Sequence, residues 1–191
     1  MSNGNTASNV SAGKPKVTGA VFAAPLGTTL PVTTSEELAE AFKCLGYCSD
    51  AGVVNSTNME STKIKSWGGE TVLVIQATKE DSFKFTLIEI KNVDVLKFVY
   101  GDENVSGTLE TGIAIKVNSK ETPERALVVD MILSDNTAKR IVIPCAKISA
   151  VGDITYVDNN AVGYETTLDC LPDEEANAHY EYIKKSASVS A

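Results

Sequence analysis

Residues 52–69, Gly52-Val53-Val54-Asn55-Ser56-Thr57-Asn58-Met59-Glu60-Ser61-Thr62-Lys63-Ile64-Lys65-Ser66-Trp67-Gly68-Gly69, look strand-like but offer almost nothing with which to fill a core. After Met59 the only large apolar residues are Ile64 and Trp67, while Thr57, Thr62, Lys63, Lys65 and Ser66 suit an exposed ribbon or loop better than a buried strand. Two readings stand. Either the stretch is a β-ribbon that needs a partner, or it is a long solvated loop, and such loops are functional or mobile.

The core must come from the rest of the chain. At 191 residues it is long enough to bury one core, and a second full domain would leave both parts small. The expected organisation is a flexible N-terminal arm over 1–16, a β-domain over 17–170 that carries the polar hairpin 55–69, and a C-terminal arm over 171–191. Residues 1–16 are rich in Ser, Asn, Gly and Lys without a continuous apolar segment, so they read as neither a signal peptide nor a membrane anchor. A cytoplasmically made chain with no membrane association is expected. Cys44, Cys48, Cys145 and Cys170 form no C-x-x-C pair and read as free, mostly buried thiols.

Loose alternation predicts a first strand over 17–23, broken by Pro25, Gly27 and Pro31. Thr34-Ser35-Glu36-Glu37 forms a capping box ahead of Leu38, Ala41, Phe42 and Leu45, predicting a short amphipathic helix that Gly46 stops. Strands over 71–77 and 81–90, the second with Phe83, Phe85 and Leu87 on one face, are expected to form an antiparallel hairpin around the polar turn Thr78-Lys79-Glu80. Asn92 caps a second short helix with Val95, Leu96, Val99 and Tyr100 as its apolar stripe and Gly101 at its end. Further strands are expected over 112–117, 126–133, 140–148, 153–158 and 162–170. The pattern predicts a mainly β chain: an antiparallel β-sandwich or barrel-like domain with one or two short α-helices and extended terminal arms.

Catalytic chemistry is poorly supplied. The single histidine, His179, lies in the C-terminal arm and reads as a surface residue, so no His-based triad or dyad is expected. Cys44 and Cys48 have no nearby histidine with which to bind zinc, and no phosphate-cradling or nucleophile-elbow motif occurs. The neighbouring carboxylates Glu36-Glu37 and Asp173-Glu174-Glu175 read as solvated groups. No catalytic, cofactor-binding or metal residue and no cofactor is therefore expected, and an enzyme is disfavoured. A formal net charge of −8 argues against gripping nucleic acid, although an acidic wall can enclose DNA without holding it.

The chain resembles the major tail tube proteins of long-tailed, siphophage-type bacteriophages in the order and combination of several segments. These are Lys14-Pro15-Lys16-Val17-Thr18-Gly19-Ala20-Val21-Phe22-Ala23-Ala24-Pro25-Leu26-Gly27-Thr28-Thr29-Leu30-Pro31, Phe42-Lys43-Cys44-Leu45-Gly46-Tyr47-Cys48-Ser49-Asp50-Ala51-Gly52-Val53, Ile64-Lys65-Ser66-Trp67-Gly68-Gly69, Phe83-Lys84-Phe85-Thr86-Leu87-Ile88-Glu89, Val99-Tyr100-Gly101, Arg140-Ile141-Val142-Ile143-Pro144 and Gly163-Tyr164-Glu165-Thr166-Thr167. The linker Pro31-Val32-Thr33-Thr34 is shorter and less acidic than the resemblance implies.

The resemblance implies homo-hexameric rings stacked head to tail, with inner sheets joined into a barrel around a lumen that passes double-stranded DNA without specific binding. It implies a virion tail component assembled in the host cytoplasm, with the tape measure protein and the tail terminator and distal tail proteins as partners. It also implies that the hairpin and arms bridge subunits. The expected contact residues are Lys63, Ile64, Lys65 and Trp67 in the hairpin, Lys14 and Lys16 in the first arm, and Tyr180, Tyr182 and Ile183 in the second, where they pack either on a neighbour or back on the chain's own sandwich. A self-pairing sheet edge is a hazard in a monomer but a device in a ring. A tube protein of a bacterial secretion or contractile injection device, and a virion decoration or adhesin sandwich, are the alternatives.

Overall fold

Within Arg125–Leu133 the residues Ala126-Leu127-Val128-Val129 are apolar at consecutive positions, so both faces of the strand must be covered there. In the computed structural model, which describes residues 4–185, this strand lies at the centre of an antiparallel sheet. In chain order the elements are β1 (Gly13–Pro15), β2 (Val21–Pro25), β3 (Lys43–Cys44), β4 (Cys48–Lys65), β5 (Thr71–Leu87), α1 (Val93–Tyr100), β6 (Val105–Ser106), β7 (Ala114–Ile115), β8 (Arg125–Leu133), β9 (Thr137–Val151), β10 (Tyr164–Leu171) and β11 (Tyr180–Lys185). The main sheet runs β3-β2-β8-β9-β10-β5-β4, with β1 added to β8 and β11 to β9, while β6 and β7 form a separate pair. β9 joins the two halves: its first part pairs β11 and its last part pairs β10.

The inner face packs Leu127, Val129, Ile141 and Ile143 against Phe83, Phe85, Leu87 and Leu168, with Val95, Leu96, Phe98 and Val99 of α1 in the same core. The outer face of the central strands, Ala126, Val128 and Val142, is covered by Leu30, Leu38 and Phe42 from the β2–β3 connection and by Tyr180 and Tyr182 of β11. The result is a mainly β, antiparallel, sandwich-like fold with one α-helix among the described residues. That helix starts and stops as its sequence dictates. The Asn92 side chain accepts from the Asp94 N–H at 3.0 Å, and Gly101 adopts φ 91° to end it.

One ion pair lies within the outer layer. Asp130 and Arg140 face each other across β8 and β9, 5% and 2% exposed, and are joined by two hydrogen bonds of 2.6 and 2.8 Å. The remaining guanidinium nitrogen, Nη1, donates to the carbonyls of Thr33 and Glu36 at 2.9 and 2.8 Å. The charge is therefore both paired and fully engaged.

Three expected elements differ. The helix predicted over 34–45 does not form. Thr33 Oγ1 accepts from the Glu36 N–H and Glu36 Oε2 accepts from the Val32 N–H, which gives capping-type bonds. The Thr33 and Glu36 carbonyls, which a helix would spend on its own amides, go to Arg140 instead, and the segment bends over the sheet. The turn predicted at 78–80 is also absent, because β5 runs unbroken through it. Thr78-Lys79-Glu80 has no residue suited to a left-handed turn, whereas Gly69 does: it sits at φ 90° in the turn closed by the Ser66 N–H donating to the Glu70 carbonyl. The strand predicted over 153–158 is instead part of the connection to β10, which already occupies the adjoining edge of β9.

Truncating Arg140 leaves Asp130 buried and uncompensated. Arg140→Ala is expected to lower stability by about 3–5 kcal/mol in urea unfolding. Replacing Asp130 and Arg140 together with leucine is expected to cost less than the single change, though not nothing, because the Thr33 and Glu36 carbonyls lose their donor.

Candidate assembly interface

β4 and β5 form one long hairpin, rooted where Phe83, Phe85 and Leu87 enter the core. Its last anchor is Asp81, buried and accepting a hydrogen bond from the Thr57 hydroxyl across the ladder. Beyond this point residues of both strands are exposed, and the eight steps from Thr57 to Lys65 carry the ribbon roughly 25 Å from the body.

The register decides what each face carries. Thr62 opposes Ile75 and Ile64 opposes Leu73, giving one apolar face, while Ser61 opposes Gln76 and Lys63 opposes Val74 on the other. Ile64, Leu73 and Ile75 are 43%, 51% and 47% exposed, and Trp67 at the tip is fully exposed. Fully burying an exposed aliphatic side chain is worth about 1.5–3 kcal/mol, and an isolated chain forgoes roughly half of that at each of these half-exposed positions. The outer edge of β4, and the edge of β5 before Asp81, have no strand partner among the described residues. Such edges are templates for pairing with another chain.

The expected contact residues fall in three places. Lys63, Ile64, Lys65 and Trp67 lie at the hairpin tip, all exposed. Lys14 lies in β1 opposite Ile132, and the Lys16 ammonium is 3.6 Å from Asp130. Tyr180 and Tyr182 pack on the chain's own outer face, their rings parallel at 6.5 Å, while Ile183 is exposed on β11. Of the arms expected over 1–16 and 171–191, residues 1–3 and 186–191 lie outside the described residues.

Sequence reasoning missed Val72, Leu73, Val74 and Ile75 as surface groups, because a consecutive apolar run reads as a buried strand. The run's position beyond the Gly68-Gly69 turn, opposite a polar strand, was the available signal. His179 is not the surface residue expected. Its ring meets Phe83 edge-on at 5.4 Å, with Nδ1 buried and without a hydrogen-bond partner. All four cysteines are free, and burial pushes the thiols of Cys48 and Cys170 up to about 11 and about 12, leaving both protonated at neutral pH. Among the described residues no group of three His, Cys, Asp or Glu side chains is placed to hold a metal, and no helix is long and apolar enough to cross a membrane.

A β body with an apolar ribbon projecting from it and unpartnered strand edges defines a self-assembling structural subunit, one whose surface is completed by other copies. A model of the phage tail tube protein family matches residues 5–191, and the chain belongs to that family. It is a structural component of the bacteriophage tail tube. No curated protein matches the chain.

The turn leading into β11 is held by one carboxylate. The Asp173 carboxylate accepts from the Tyr180 hydroxyl at 2.6 Å and from the N–H groups of Asn177 and Glu175, and these bonds hold its pKa below the ordinary carboxylate value. A lowered folded pKa gives stabilisation that is complete above the unfolded aspartate value and is lost as pH falls through the folded one. Protection of the β11 amides, measured as exchange relative to the intrinsic rate at each pH, is expected to fall below about pH 4, and Asp173→Asn to show the lower protection already at neutral pH.

Proposed function

We propose that this protein stacks as hexameric rings into the tail tube of a long-tailed phage and forms the conduit through which DNA passes on ejection. The observation that carries this reading is the exposed apolar ribbon on a chain of the tail tube family. Ring number and stacking rest on the resemblance to siphophage tube proteins. The hairpin 55–69 and the arms 1–16 and 171–191 bridge subunits, with Lys63, Ile64, Lys65, Trp67, Lys14 and Ile183 meeting neighbours, while Lys16 anchors the first arm and Tyr180 and Tyr182 the second on their own chain.

The net charge of −8 supports a lumen that repels phosphate rather than binding it. In this reading the tube encloses the tape measure protein during assembly in the host cytoplasm and meets the tail terminator and distal tail proteins at its ends. The role is structural and uses no cofactor.

Negative-stain electron microscopy with light scattering over a concentration series tests this reading. Hollow tubes or stacked rings are expected, and a strictly monomeric species at every concentration would overturn it. Trp67 is the only tryptophan, so its emission reports directly on the hairpin tip and should shift to the blue as mass rises. Trp67→Ala is expected to raise the concentration needed for assembly at least about 30-fold, the equivalent of a hot-spot loss of about 2 kcal/mol. Unchanged assembly of that variant would remove Trp67 from the interface.

A further inference from the structure

We propose that the receptor for the hairpin tip is a groove at the root of the same hairpin on another copy of this chain. The inference rests on the tube reading and names the contact that propagates it.

The groove lies between β1 with the turn that follows it and the first residues of β4. Its volume is about 920 Å³, at the upper end of the roughly 300–1,000 Å³ typical of sites that enclose a drug-sized ligand. It is therefore wide enough for an indole and the Gly-Gly turn beside it. Two groups on its rim are as uncovered as the tip itself: Val17 is fully exposed and the Tyr47 ring is three-quarters exposed. An aliphatic and an aromatic side chain left in water beside an open groove are suited to an aromatic knob.

The groove wall is held in place. Gly46, at φ 70°, brings the backbone so near Glu89 that a Cβ there would stand 2.1 Å from the carboxyl carbon. Glycine thus leaves room for the Glu89 carboxylate, whose Oε1 accepts from the Tyr47 N–H at 2.9 Å.

The charges are complementary. Lys63, Lys65 and Glu70 surround the tip, while Asp50, Glu89 and Lys14 line the groove, and none of these six has an ion-pair partner among the described residues. Two cations and one anion meet two anions and one cation. Lys16, also at the groove, is already engaged with Asp130.

Knob and groove sit at opposite ends of one rod. From Val53, where the regular ladder begins beside the groove, to Lys65 is twelve steps along one strand, roughly 40 Å. A translated copy therefore brings tip to root, and this head-to-tail contact does not close on itself but runs on as a filament.

That separation makes the test direct, because within one chain Lys65 cannot reach Asp50. Full-length wild-type protein, mixed from ordinary and ¹⁵N-labelled batches, is assembled and treated with a carbodiimide, which joins amine to carboxylate without a spacer. Mixed-isotope peptides linking Lys63 or Lys65 to Asp50 or Glu89 are expected, with a yield that rises with concentration. Tubes that form other cross-links but not these would overturn the groove while leaving the tube reading intact. Absence of any assembled species would overturn both. In a second arm, Asp50→Lys and Lys65→Asp are each expected to raise the assembly concentration about tenfold, and the double variant to recover most of that loss. Singles that assemble like the wild type would also overturn the proposal.

Discussion

The paired charges of Asp130 and Arg140 fix the backbone of segments that the small outer apolar cluster only covers. They cross the two central strands, and through Arg140 Nη1 they fix a connection more than 100 residues away in sequence. Lys16 approaches the same carboxylate, and the Lys16 N–H donates to the Asp130 carbonyl, so the first strand is docked at this point as well. A hydrophobic pair at these positions would cover the sheet but would offer nothing to the Thr33 and Glu36 carbonyls. The ionic pair contributes position more than net stability, since desolvation offsets much of its attraction.

This pair also explains part of what sequence reasoning read wrongly. Residues 34–45 satisfy every local rule for a helix, and the capping-type bonds around Thr33 and Glu36 do form. The deciding group is a guanidinium on a strand far along the chain, which no local pattern reveals. Where the determinants are local, reading succeeds: Asn92 and Gly101 bound α1, and the odd-numbered apolar residues from Phe83 to Leu87 face the core. The hairpin shows both cases. Its polar strand was legible as a ribbon lacking core residues. Its partner strand carries a polar stretch at Thr78-Lys79-Glu80 that resembles a turn in composition, although none of those residues favours a left-handed backbone. Of the interface, the lysines and Trp67 were legible from composition, whereas the groove was not, because its walls come from segments about 30 residues apart.

A ribbon this long with open edges is an aggregation hazard before assembly. The chain tempers it with register shifts between Glu60 and Ser61 and between Ile64 and Lys65, and with exposed Lys63, Lys65 and Lys79 along the strands. Each bulge increases the local twist and interrupts the flat ladder that indiscriminate pairing requires. The net negative charge adds a repulsion among free subunits that a specific, charge-matched contact must overcome locally.

The first of those bulges also aims the ribbon. Along β5, Phe83 and Phe85 face the core, and plain alternation would place Leu73 and Ile75 on that same face, over the chain's own body. Glu60 pairs with Thr78 but Ser61 pairs with Gln76, so Ala77 is an extra residue and the alternation of β5 resets there. Leu73 and Ile75 consequently join Ile64 and Thr62, on the face that β4 turns away from the core at Val54, Ser56 and Asn58. A single inserted residue thus exchanges the faces of this run: Leu73 and Ile75 turn to the side that carries Ile64, and Val74 takes the other side, opposite Lys63. The same sequence can then remain folded as a single subunit and still present Ile64, Leu73 and Ile75 together to the next copy.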